Sequence, residues 1–180
     1  MGRLSENSVV NVKNHSFSVT AEVVVGAGKP ANGVIIAQGG RFGGWSLYTK
    51  DGLAKFAYNV LGIHEFATVA TEPIPEGKHQ VRMEFAYDGG GLGKGGKVTL
   101  CYDGRSVGSG RVAMTQPMVF SMDETTDIGH DSGTPVSPDY SVHASKFTGK
   151  IHWVQLDVGV DDNDHFISPE ERLRIAMARQ

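Results

Sequence analysis

Two stretches of this chain carry residue types that could do chemistry, and a third holds rings that could bind. The pentapeptide CYDGR, Cys101 to Arg105, contains the only cysteine among 180 residues. Cys101 is a potential nucleophile with a guanidinium four residues on, or a strand residue beside a turn. The phrase DETTDIGHDSGTPV gathers Asp123, Glu124, Asp127 and Asp131 with no Lys or Arg among them. Oxygen ligands in such a loop could hold Ca²⁺. The same carboxylates could instead accept hydrogen bonds from loop backbone N–H groups, building Asx-turns. With Tyr140 they form a candidate interface or calcium loop. Phe42, Trp45, Tyr48, Phe56 and Tyr58 lie close together, and Phe42, Trp45 and Tyr48 are the candidate sugar-facing rings. Strand aromatics more often fill cores, because they dominate burial energetics.

Other stretches imitate motifs without their context. GLGKGG spaces Gly91, Gly93 and Gly96 like a phosphate-binding fingerprint. Such loops work by aiming a helix N-terminus at phosphate. Here KVTLCYD follows and reads as a strand, so the expectation is a hairpin tip. VDDNDHFISPEE aligns Asp162, Asp164 and Glu171 with calcium-loop positions, yet Val160 and His165 occupy places that need a ligand and a glycine. HEFAT, His64 to Thr68, lacks the second His of a zinc helix and sits in a strand-like segment.

The elements that must position these residues read as short strands. The chain has 24 Gly, which suits many tight turns. In FSVTAEVVV, Phe17, Val19, Ala21, Val23 and Val25 fall on one face. GVIIAQGG reads as a buried strand stopped by glycines. Asp51-Gly52 and Asp103-Gly104 read as hairpin turns. HQVRMEFAYDG sets Val81, Met83, Phe85 and Tyr87 against Arg82, Glu84 and Ala86. FTGKIHWVQLDVG is apolar on both faces, which implies a bulge or cover. Ser121–Ser145 reads as a long irregular stretch, functional or packed on a neighbour. Ser168, Pro169 and Glu171 open one helix, about 168–179, with a capping box. The expected organisation is an N-terminal tail over 1–13 and one all-β domain over 14–180, a two-sheet antiparallel sandwich with that C-terminal helix.

Composition excludes several roles. The formal charge is −3, without a basic stripe for nucleic acid. No apolar run approaches the ~20 residues that span a bilayer, and the polar start MGRLSENS carries no export signal. A single Cys excludes an intramolecular disulfide framework.

NHSFSVTAEVVV, GVIIAQGGRFGGWSLYTKDG, FAYDGGGLGKGG, FSMDETTDIGHDSGTPVS and FTGKIHWVQLD closely resemble the C-terminal portion of large bacterial arylsulfatases, from about Asn14 to the end. The resemblance implies a concanavalin-like or laminin-G-like jelly roll, an accessory domain that packs on a sulfatase catalytic domain. That domain would hold the formylglycine and the divalent metal, and this chain none of the chemistry. The expected partner is the catalytic domain, with self-association through the interdomain face when it is absent. The expected compartment is bacterial cytoplasm or periplasm. CYDGR departs from the sulfatase signature Cys/Ser-x-Pro-x-Arg: Asp103 stands for Pro, and Gly110-Arg111 arrives one residue early. A formylglycine without its metal would not be activated for attack. A lectin-like carbohydrate-binding module is the alternative reading.

Overall fold

A computed structural model describes residues 4–5, 9–120, 125–159 and 177. Eleven strands run in chain order: β1 (Leu4–Ser5), β2 (Phe17–Val25), β3 (Gly33–Gly40), β4 (Gly43–Lys50), β5 (Leu53–Val60), β6 (His64–Pro73), β7 (Gly77–Tyr87), β8 (Lys94–Tyr102), β9 (Arg105–Met114), β10 (Thr125–Ile128) and β11 (Lys150–Val158). They form a six-stranded sheet, β1-β10-β3-β4-β5-β6, and a five-stranded sheet, β11-β2-β7-β8-β9. Every strand pairing is antiparallel. The capped helix about 168–179 and the stretch from Val160 onward lie outside the described residues, but for Met177.

The sheets meet through the faces that alternation assigns. Phe17, Val19, Ala21 and Val23 of β2, with Met83 and Phe85 of β7, pack against Trp45, Leu47, Phe56 and Tyr58. Phe17 bridges the layers, with ring centroids 5.4 Å from Trp45 and 5.5 Å from Phe85. These contacts correct the grouping of candidate sugar-facing rings. Trp45 is wholly buried in the core because it shares a strand face with Leu47.

The edges close where glycine allows it. A side chain on Gly108 of β9 would lie 2.7 Å from the Val69 carbonyl oxygen of β6, so glycine there lets the two edge strands come together. Both Asp-Gly turns form as read, with Asp51 and Asp103 at positive φ. Strand β11 carries its bulge between Ile151 and Trp153. GLGKGG spans the β7–β8 hairpin tip and the start of β8.

Two segments differ from the sequence reading. The stretch expected to be irregular begins with a strand, Thr125–Ile128, which adds to β3. Part of the expected tail is built in: Leu4–Ser5 pairs with Thr125 and Thr126, and Val12 is buried in the core.

Candidate ligand cleft on the loop-covered sheet

Along β4, Trp45 and Leu47 point into the sandwich while Ser46 and Tyr48 point to the outer face of the six-stranded sheet. That face is covered. After β10 the chain crosses it as a loop, residues 129–147, with one short 3-10 turn at Val142–Ala144. Val136 and Tyr140 of the loop pack on Val34, Ala37, Tyr48 and Ala57, a second apolar cluster separate from the main core. The loop returns to β3 through Lys146, bridged to Val34. A side chain on Gly33 would lie 2.3 Å from the Lys146 carbonyl oxygen, so the return needs glycine there.

Buried carboxylates organise the loop. Asp127 accepts from the Ser132 backbone at 2.9 Å and from its hydroxyl. Asp131 accepts from Val136 N at 3.3 Å and from the Tyr140 hydroxyl at 2.9 Å; that hydroxyl also lies 3.0 Å from Ser46 Oγ. Asp139 accepts from Tyr48 at 2.7 Å, from Lys50 at 2.9 Å and from Lys55. Burial opposes the Asp139 anion, but the bonds from Lys55, Lys50 and Tyr48 outweigh it and hold the carboxyl below the usual carboxylate range. Burial, then the Asp131 charge, pushes the Tyr140 phenol up; burial does the same to Tyr48. Both phenols stay protonated and act as donors.

Asp131 and Tyr140 therefore share one loop, and Asp127 holds its first turn from strand β10. Asp123 and Glu124 lie outside the described residues. Among the described residues no three His, Cys, Asp or Glu side chains gather as metal ligands do. Tyr48 lies beneath the loop, edge-on to Tyr140, and of the three candidate rings only Phe42 is exposed, at 68%. Cys101 is buried in β8 and its thiol is pushed up to about 11 by burial and by Glu84, against Arg82.

The loop leaves a cleft of about 400 Å³ at its edge, walled by Arg41, Asn59, Gly62, Glu65 and residues 135–138 with Tyr140. Asn59 ties three segments together. Its Nδ2 donates to the Arg41 and Val136 carbonyls at 3.1 and 3.0 Å, and its Oδ1 accepts from Gly62 N at 2.8 Å. Arg41 N donates to Thr134 Oγ1 at 2.9 Å, and Ser137 Oγ donates to Glu65 Oε1 at 2.7 Å. The Arg41 guanidinium has no hydrogen bond or ion pair with a described residue. Phe42, beside Gly62, and the exposed Leu61 and Ile63 stand at the rim. Sequence reasoning missed Arg41, Asn59 and Glu65. The available signal was two short turns, Arg41-Phe42 and Leu61–Ile63, which hairpin pairing must bring side by side.

The sandwich is similar to several solved structures. The CBM40 of the Ruminococcus gnavus IT-sialidase matches with a TM-score of 0.58 at 13% identity, over 90% of this chain and 88% of that one. Domains LG4-5 of the mouse laminin alpha1 chain match at 0.54 and 17% identity, over 92% of this chain and 40% of that one. A botulinum neurotoxin type C structure matches at 0.55 and 12% identity, over 99% and 39%. This is a laminin-G-like β-sandwich. The sandwich spans well under half the length of the laminin and toxin chains it matches. No known family description and no curated protein matches the sequence. The comparisons support the sandwich and leave an arylsulfatase parent unsupported.

Proposed function

We propose that this chain is a non-catalytic, lectin-like module that binds a carbohydrate in the cleft between Arg41, Glu65 and Tyr140. The observation that carries the reading is a preformed concavity whose walls are cross-linked through Asn59, with polar groups converging on it. Structures of similar fold include a domain named CBM40, and a toxin whose cell entry depends on interaction with two ganglioside molecules. Titration of an isotope-labelled sample with a panel of oligosaccharides tests it. Amide shifts at Asn59, Gly62 and Ser137 that saturate are expected; shifts confined to other faces would overturn the cleft.

A second reading, the accessory domain of an arylsulfatase, is favoured by a different observation. The described part of one phrase that carries that resemblance, residues 125–137, runs from β10 into the loop that buttresses the sheet face. The exposed Phe42, Leu61 and Ile63 would then pack on the sulfatase catalytic domain. In a sulfatase carrying this domain, Ile63→Asp should loosen the contact and speed proteolytic release. Unchanged release would count against it.

A further inference from the structure

We infer that the saccharide taken by this cleft bears an anionic oxygen group, a carboxylate or a sulfate, seated on Arg41, with its hydroxyls donated to Glu65. The inference rests on the carbohydrate reading and names the ligand class within it. Its ground is the division of labour among the cleft's polar groups. Asn59 is spent on three backbone partners, and Tyr140 on Asp131 and Ser46. Those groups hold the walls and have little left for a ligand.

Two groups remain. The Arg41 guanidinium pairs with no described residue, while its backbone is fixed at both ends, by Thr134 at N and Asn59 at O. A guanidinium fork on an anchored backbone suits a planar or tetrahedral oxyanion better than a lone hydroxyl. Glu65 uses Oε1 for Ser137, and Oε2 has no hydrogen bond among the described residues. A carboxylate oxygen accepts only, so it selects hydroxyl donors and repels an anion placed against it. The two charges therefore orient the ligand, with the acidic group at Arg41 and the hydroxyls at Glu65. The exposed Phe42 follows Arg41 in the same turn and lies near Gly62 of the cleft wall.

Calorimetry with three oligosaccharides of one linkage separates the possibilities: neutral galactose units, galacturonate units, and 6-sulfated galactose units. Both acidic arms should bind about tenfold or more tightly than the neutral arm, as a charge-assisted contact gives. Their advantage should shrink with added salt. Preference for only one of them tells carboxylate from sulfate. In Arg41→Gln, an exposed change whose melting point should match the parent, the preference for the acidic arms disappears. Equal affinity across the three arms, or a preference that persists in Arg41→Gln, overturns this inference and leaves carbohydrate binding standing. Binding by none of them sinks the carbohydrate reading and this inference with it.

Discussion

Tyr140 stands edge-on to Tyr48 with ring centroids 5.1 Å apart, and its hydroxyl reaches back 2.9 Å to Asp131 on its own loop. One side chain thus joins the loop to the sheet by its ring and its contact with Ser46, and to itself through Asp131. The two contributions separate by substitution. Tyr140→Phe keeps the ring and leaves Asp131 short of a donor, at a cost of about 1–3 kcal/mol. Tyr140→Ala also opens a cavity and should cost about 3–5 kcal/mol. Urea unfolding of the two variants checks the order; equal losses would deny the ring its share.

Asp139 latches the returning arm of the loop and makes it acid-sensitive. Its folded carboxyl titrates below the unfolded value of about 4. The stabilisation is therefore present above that unfolded value and is lost as pH falls through the folded one. Asp139→Asn should be less stable than the parent at neutral pH, with the gap closing in strong acid. A gap that is constant from neutral to acid pH would exclude the latch.

For His79 the sign reverses. His79 Nδ1 lies 2.6 Å from Asp103 Oδ2, and Nε2 lies 3.1 Å from the Glu76 carbonyl. Burial works against the charged ring, but these two partners raise its pKa overall. The folded form then gains stability in full below the unfolded value of about 6.5, lost as pH rises through the folded one. His79→Gln should destabilise at pH 5.5 and matter less at pH 8.5, read from thermal melts.

Cys101 should be chemically silent. With its thiol pushed up to about 11 and its side chain buried, thiol reagents at pH 8 should label only denatured protein. Purified chain should show no aryl-sulfate hydrolysis, with or without divalent metal. Turnover that vanishes in Cys101→Ala would refute the non-catalytic assignment.

Leu61 holds a left-handed backbone, φ 55°, at the cleft rim while 56% exposed. That conformation costs a bulky residue about 1–2 kcal/mol, and Asn tolerates it better. Leu61→Asn should raise stability by about 0.5–1 kcal/mol in chemical denaturation. A loss instead would mean the exposed Leu side chain makes contacts that outweigh the strain.

Much of the scaffold was legible because strand alternation and Asp-Gly turns are local signals. Val19, Ala21 and Val23 announce their face by period two, and Asp103-Gly104 announces its turn by residue type. Strand β6 read as strand-like only over HEFAT, since it is a largely exposed edge where Glu65 and Val69 need no apolar partner. Strand β10 is four residues within an acidic, Thr-rich phrase, and only pairing with Ile36–Gln38 makes it a strand.

The candidate site divides the same way. The residue order alone determined the two-sheet sandwich, the turn positions and the loop that carries Asp131 and Tyr140. Tertiary structure decided that Trp45 faces the core, that Tyr48 lies under the loop, and that Arg41 and Glu65 share one cleft. Side-chain direction along a strand follows from local geometry, but what covers each face does not. Cover depends on contacts between segments far apart in sequence, such as Tyr48 with Asp139 and Arg41 with Thr134.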